Sequence, residues 1–420
     1  MVAGGGLAGA AAAVGLAQAG LAVTLIERET QPVDKICGEF LSTEAQEYLS
    51  RLGLDVTRLS GAAISRLRLV RGAKTVQADL PFSAIGLSRR KLDEALLRHA
   101  QDAGVQVLRG HSVRRISIKD KIALEIEGLG SATPDILMLA TGKHELRGIK
   151  REFSPTIMAN DPSAHPRPVM AALDAAIHAL PFKSRRRHDS QPRLPGVSPS
   201  DNKKNLIGFK MYFRLRAAAR ASLQDHIELI FFPGGYAGLQ MIENGIANLC
   251  LLVDRDRYRL CGGSWENLLA YLKTSSPVLA DQLNEAEPLL AQPLTIYQVP
   301  YGYIHQPRAS DPAGLFRLGD QACVIHSFTG DGMSIALHSA MLAVRAVLDG
   351  KDGNSFHRQL ARDVRGQMKR ADAIYALMNN PATQAASFKI SRFWPASLKI
   401  AARLTRVPVQ ARHQSKNLQS

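Results

Sequence analysis

The chain has 420 residues, 45% of them hydrophobic, which is enough for the core of one or two globular domains. No apolar run reaches the roughly 18 residues of a spanning helix, and glycines interrupt the N-terminus where a signal peptide would be apolar. The net charge of +16 sits mainly in Lys183–Arg193 and in the tail after Ala361, without a zinc-finger or aromatic-basic pattern; a solvated basic surface is expected, and no nucleic acid.

The first predicted element is a βαβ unit, "VAGGGLAGAAAAVGLAQAGLAVTLIERE" (Val2–Glu29). Gly4, Gly6 and Gly9 form G-x-G-x-x-G: a tight turn, a close approach to a diphosphate, and close helix–strand packing. The small residues Ala10–Gln18 favour a helix whose free N–H groups face the phosphates, and Gly20 ends it. "LAVTLIE" reads as a buried parallel strand with Glu27 at its end. A carboxylate there accepts the ribose hydroxyls of an adenosine and repels a 2′-phosphate, which disfavours NADP. Only Met1, Val2 and Ala3 precede Gly4, so the first strand is very short and reads as truncated or as following a late start.

"DKICGEFLS" (Asp34–Ser42) is a glycine-bounded loop carrying Cys37 and Glu39. Cys37 is either a proton donor and substrate contact or a small packed residue. Glu39 is either a general acid or a partner of the loop backbone. Residues 61–85 read as strands of a second domain. A helix follows in "SRRKLDEALLRHAQDAGVQVL", then a strand and turn in "DILMLATG" (Asp135–Gly142). Residues 149–204 are basic and rich in Pro and Ser, expected as a flexible insertion with one short helix at "PVMAALDAAIHAL".

From Leu206 to Asp254 the texture is β: "LIGFKMYFRL", "HIELIFFP" and "IANLCLLVD" are strand-length runs, and "PGGYAGLQMIENG" supplies turns. Tyr236 is a pocket wall or a core tyrosine. Cys250 and Cys261 read as core and turn residues. "TIYQVPYGYI" (Thr295–Ile304) reads as a last strand. A short strand then ends at Gly319-Asp320, and Gly330-Asp331-Gly332 opens an alanine-rich helix. His326 in this loop is a plain loop histidine or tunes a cofactor; His338 is a packed or surface residue. The four cysteines, Cys37, Cys250, Cys261 and Cys323, have no metal-site spacing, so no metal is expected and a reducing cytoplasm is. In the tail, Phe388, Ile390, Phe393, Trp394, Leu398 and Leu404 alternate with basic residues, and Pro395 interrupts. The first reading is a cap over the second domain; the other is an interfacial helix on anionic membrane.

Taken in order, these motifs resemble the para-hydroxybenzoate hydroxylase and geranylgeranyl reductase superfamily of FAD-dependent oxidoreductases. Arg89, Leu92, Asp93 and Leu96 match its R-x-x-L-D-x-x-L helix, and Lys35, Cys37 and Gly38 the K-x-C-G loop of the reductases. The resemblance implies that Arg89 lies near FAD, that Gly319-Asp320 meets the ribityl chain, and that Gly330 and Gly332 face the flavin ring. It implies an α/β fold: a Rossmann-type FAD-binding domain (1–60, 86–148, 312–350) interleaved with an antiparallel substrate sheet (61–85, 205–311), then a helical basic tail (351–420). This chain departs from the pattern at Ala140-Thr141-Gly142, where the hydroxylases have an acidic-glycine turn, and at Ser327, where a proline is usual. With only Trp265 and Trp394 there is no W-x-W, so halogenation is not expected. No second G-x-G-x-x-G is present, so electrons are expected from external NAD(P)H without a domain of its own.

The expected function is therefore FAD-dependent and monooxygenase-like, hydroxylating or epoxidising an apolar aromatic, polyketide or isoprenoid molecule. The alternatives are a C=C reductase of geranylgeranyl-reductase type and a non-catalytic, basic FAD-binding interaction protein. An NAD-dependent dehydrogenase is disfavoured by the second glycine motif.

Overall fold

A computed structural model describes residues 1–118, 121–143, 156–157, 206–308, 310–408 and 411. The expected helix within 149–204 lies outside them.

In chain order, β1 (Val2–Ala3), α1 (Leu7–Gln18) and β2 (Thr24–Glu27) form the opening unit. Then come β3 (Phe40–Leu41), α2 (Thr43–Arg51), β4 (Ala62–Arg71) and β5 (Lys74–Gly86). Next are α3 (Arg89–Asp102), β6 (Gln106–Arg109), β7 (Val113–Ile118), β8 (Ile122–Ile126), β9 (Gly130–Ala132) and β10 (Leu137–Leu139). Beyond the short β11 (Thr156–Ile157) lie β12 (Leu206–Arg214), α4 (Ala217–Leu223), β13 (Asp225–Phe232), β14 (Gly235–Met241) and β15 (Ile246–Asp254). After these run α5 (Arg255–Leu260), α6 (Trp265–Ser275), α7 (Pro277–Gln282), β16 (Glu287–Pro288), β17 (Leu294–Tyr297) and β18 (Tyr303–Ile304). The chain closes with β19 (Leu315–Arg317), β20 (Cys323–Val324), α8 (Gly332–Leu348), α9 (Gly353–Asn379), α10 (Pro381–Phe393) and α11 (Ala396–Leu404).

Sheet A is parallel throughout, in the order β19-β10-β1-β2-β6. Apart from the edge strand β6, its strands are buried on both faces. Val2, Leu25, Met138 and Phe316 face α1, α3 and α8. Ala3, Ile26, Leu139 and Leu315 face the small β7-β8-β9 sheet. The alanines of α1 are explained by this layering. A Cβ at Gly15 would stand 3.0 Å from Val344 of α8, so the two helices touch backbone to side chain.

Sheet B runs β11-β17-β12-β15-β14-β13-β4-β5-β3, with β16 also on β12. It is mixed, because β4 joins β13 in parallel while its other pairs are antiparallel. The expected all-antiparallel sheet is corrected in this one pairing, which joins strands from remote parts of the chain. Two further expectations need correction. "YAGLQM" is strand β14, not a turn; the turns of this stretch lie at its two ends, at Gly234 (φ +88°) and at Glu243–Gly245, where Asn244 (φ +59°) and Gly245 (φ +68°) are left-handed. A Cβ at Gly235 would lie 2.6 Å from the Phe232 ring, so this glycine answers to packing. Thr295–Ile304 is not one strand: Gln298 adopts φ +56°, and β17 and β18 join different sheets.

One face of sheet B buries Ile207, Phe209, Met211, Leu249 and Leu251 against the helices α4–α7. The other, the inner face, gathers Leu69, Phe231, Tyr236, Leu252 and Ile296 with Tyr375, Phe388 and Leu398 of α9, α10 and α11. The tail helices are therefore a cover over the inner face.

Candidate functional site

The glycine loop between β1 and α1 is tightly built. Gly4 has φ +104°, and a Cβ there would lie 2.5 Å from Ala140 O; one at Gly9 would lie 1.9 Å from Gly4 O. Only hydrogen fits at either position. At Gly6 the would-be side chain points at Arg89 Nη2 (3.4 Å) and Lys35 Nζ (4.0 Å). Both cations rest on Asp93: Arg89 through two bonds of 2.8 and 3.0 Å, Lys35 at 3.1 Å. Burial raises the Asp93 pKa, but Arg89 and Lys35 outweigh it and hold the carboxyl below its ordinary value. Two cations and the free N–H groups of α1 thus converge beside Gly6, the donor set a diphosphate needs.

Glu27 ends β2 beside this loop. Its carboxylate accepts from Gly5 N (2.6 Å) and Glu29 N (2.9 Å). A cleft runs outward from it, lined by Glu27, Val33, Lys35, Arg90, Asp93 and Arg109.

The second glycine motif closes the other end. Gly319 takes φ +55° and its N–H donates to Ser339 Oγ at 2.9 Å. Asp320 is half-buried. Burial lowers the Arg89 pKa, but Asp93, with Cys37 and Asp320 also within reach, raises it above normal. Cys37 and Asp320, from two other segments, thus lie within electrostatic reach of Arg89. Gly330 takes φ +65° against the Phe40 ring. Gly332, the first residue of α8, is exposed, and nothing lies within 4 Å of its would-be side chain. Between them Asp331 is fully buried, bonded to Gln367 of α9 and 3.3 Å from Arg406. Burial pushes its pKa up to about 6 against the pull of Arg406. Arg406 also donates to Thr329 O at 2.7 Å and stacks over Phe82.

Cys37 and Glu39 sit between the two motifs but differ in setting. Cys37 is half-buried, accepts from Glu39 N at 3.3 Å, and precedes Gly38, which is exposed and open around its Cα. Glu39 is fully enclosed with φ +61°, an uncommon backbone for a non-glycine residue. Its Oε1 accepts from Arg89 N (2.8 Å), Tyr212 Oη (2.8 Å) and Lys210 Nζ (2.6 Å). Burial raises its pKa, and Lys210 opposes this. Lys210 is itself fully buried and donates to Lys35 O at 2.9 Å. Gln240 and Asn248 complete the clasp, bonding the backbone oxygens of Glu39, Cys37 and Gly38. The Cys37–Glu39 loop is thus pinned to the start of α3 and to sheet B at once.

Lys210, Tyr212, Gln240, Asn248, Gln367 and Arg406 were not singled out from sequence. Four of them are polar residues inside apolar strand runs, a signal that was available. Of the single residues weighed, Tyr236 lies on the inner face, edge-on to Phe328 with centroids 6.1 Å apart. Cys250 lies in the same sheet, its pKa pushed up to about 12 by burial. His326 is buried, stacked between Tyr301 and Tyr375 and 3.0 Å from Asp372. His338 is buried and packed, bonded to Tyr48 and Asp363.

Against known proteins, the FAD binding domain family matches residues 1–122. The fold extends the likeness along the whole chain. The flavin-dependent brominase Bmp2 superposes with a TM-score of 0.68 at 16% identity, over 99% of this chain and 96% of its own. The chain has the fold of the FAD-binding monooxygenases. The myxobacterial chondrochloren halogenase CndH shares it (TM-score 0.67, 16% identity, 99% and 95% covered), as does PqsL of Pseudomonas aeruginosa (0.61, 15%, 92% and 98%). In sequence, menaquinone reductases from two strains of Mycobacterium tuberculosis are 35% identical over 115 residues, 26% of this chain. That match spans only 28% of the length of those curated relatives. In this FAD-binding monooxygenase fold, Trp265 is a core residue of α6 and Trp394 an exposed one at the end of α10.

Proposed function

We propose that the chain is an FAD-dependent oxidoreductase, monooxygenase-like, acting on an apolar small molecule held against the inner face of sheet B. One observation carries this reading: the Cys37–Glu39 loop joins the glycine cradle to the substrate sheet. FAD bound there supplies the hydride and electron chemistry. Gly4, Gly6, Gly9 and the start of α1 would hold its diphosphate, with Arg89 and Lys35 offsetting the charge. Glu27 would take the adenosine ribose, Gly319-Asp320 the ribityl chain, and Gly330 and Gly332 the flavin edge. Leu69, Phe231, Tyr236 and Leu252 would exclude water around an aromatic, polyketide or isoprenoid substrate. Glu39, enclosed and bonded to three donors, positions the loop rather than meeting substrate. External NAD(P)H is the proposed electron source.

Purified protein should be yellow and release FAD on denaturation. Reduced without air, then given oxygen and an apolar substrate, it should yield an oxygenated product. A colourless protein that binds NAD but not FAD would sink the reading, and FAD that never turns over would favour the interaction-protein alternative.

The menaquinone reductase match favours a second reading, a reductase, which with the reductase-type K-x-C-G loop would reduce a C=C bond. Here the Cys37 thiol would give its proton to the carbon opposite the one taking hydride. Cys37→Ala separates the two: a modest, packing-level loss for oxygenation, or complete loss of oxygen-independent saturation with FAD still bound.

A further inference from the structure

We propose that the outer face of α10 and α11 docks on an anionic membrane surface. The two sequence readings of this segment, cap and interfacial helix, fall on opposite faces of the same helices. The inner face is the cap: Phe388 and Leu398 are buried in the cluster on sheet B. Among the described residues the outer face has no such partner. Phe393 is 87% exposed and Trp394 54%, and Ile390, Ile400 and Leu404 of the same two helices are exposed as well. Ile390 with Phe393, and Ile400 with Leu404, fall three or four residues apart, so each pair shares one side of its helix, and Trp394 follows directly after Phe393. Large apolar residues grouped in this way on a surface mark an interaction site.

The surrounding charge selects the occupant. Between residues 381 and 404 stand Lys389, Arg392, Lys399 and Arg403, and no Asp or Glu. Lys389, Arg392 and Arg403 are exposed. Among the described residues, the acid of a neighbouring element paired with them is Asp79 of β5, 3.4 Å from Lys399. A second copy meeting this patch about a twofold axis would set like charges against one another. An anionic bilayer complements them and accepts the apolar side chains at the headgroup boundary. Trp394 is the residue type favoured at that depth. No helix among the described residues is long and apolar enough to cross a membrane, so the contact would be peripheral.

The patch is held in place. Arg370 of α9 bonds Leu404 O, and Arg406, just past α11, bonds Thr329 O in the second glycine motif. Docking would therefore bring the cover of the inner face against the bilayer, beside any apolar molecule dissolved there. The docking itself does not depend on the reaction.

The test uses the full chain and phosphatidylcholine vesicles with and without phosphatidylglycerol. Co-sedimentation should require phosphatidylglycerol and weaken with salt. Trp394 emission should shift to the blue on binding, while Trp265, the only other tryptophan and a buried one, should report no change. Phe393→Ser with Trp394→Ser should weaken binding by at least about tenfold, since both apolar groups then stay out of the lipid. Lys389→Gln with Arg392→Gln should abolish the preference for phosphatidylglycerol. All four residues are exposed, so melting curves should stay unchanged. Lack of vesicle binding, or binding that ignores both pairs of substitutions, overturns the proposal. So does a dimer in sedimentation that shields Trp394 without lipid.

Discussion

Replacing Lys210 by methionine tests whether the buried clasp, rather than the loop's own turn, holds Cys37 in place. Lys210 Nζ lies 2.6 Å from Glu39 Oε1 and 2.9 Å from Lys35 O, and neither Lys210 nor Glu39 is exposed. Methionine keeps most of the aliphatic stem, so the packing loss should be small. Leaving one partner of a buried pair uncompensated costs about 3–5 kcal/mol. Glu39 can lessen that cost by taking a proton, because burial already raises its pKa and Lys210 is the main force opposing the rise. The sign follows. A carboxyl with a raised folded-state pKa binds more protons folded than unfolded, so stability falls as pH climbs from the ordinary value of 4.5 to the folded one. Losing Lys210 lifts the folded value further and widens that window. Urea unfolding should therefore show a penalty of about 3 kcal/mol near pH 8 and a clearly smaller one near pH 5. Adding Glu39→Gln to Lys210→Met should remove the pH dependence and recover much of the loss. A penalty under about 1 kcal/mol, or one equal at both pH values, would refute the reasoning.

Glu27→Ala should weaken FAD retention by about 1.5–3 kcal/mol, roughly ten- to a hundredfold, and FAD affinity equal to that of the parent in a titration would remove Glu27 from the site. Asp331→Asn should alter the pH profile of folding: the gap between 3.8 and about 6 penalises the charged form by up to about 3 kcal/mol at neutral pH, so the parent loses stability between pH 4 and 6. The variant should gain on the parent across that range, and parallel profiles in thermal melts would rule the assignment out.

The βαβ unit was legible because each of its parts is a local demand. The glycines answer contacts within a few residues or with one neighbouring strand, and the alanines answer a helix squeezed between layers. Strands β12, β13 and β15 of sheet B were legible for the same reason. What failed was decided by partners. Gly235 and Gly238 made β14 look like a turn, yet the close approach of Phe232 and the antiparallel pairing with β13 and β15 hold it extended. The parallel pairing of β4 with β13 needs segments more than 150 residues apart, and no local pattern encodes it. Lys210, Gln240 and Asn248 could be noticed as polar residues in apolar strands. Only the register, which sets Tyr212 opposite Asn248 and Asn248 opposite Gln240, with Lys210 two residues from Tyr212 on the same strand, shows that they gather under the Cys37–Glu39 loop.

That register also explains how the candidate site stays rigid without a regular element of its own around Cys37. The loop bears a left-handed glutamate at Glu39 and open glycine at Gly38, both unfavourable or permissive choices for a fixed structure. Sheet B compensates by donating side-chain N–H groups to three successive backbone oxygens and a cation to the Glu39 carboxylate. The other half of the site is tied down in the same way from a distance: Gln367 and Arg406 bond Asp331 between the two glycines of the second motif. In each half a backbone of the kind glycine permits is stiffened by buried polar and charged groups from another part of the chain. The tail is then part of the site's frame, and a truncation before Arg406 would disturb the second motif even though it removes no residue of either glycine loop.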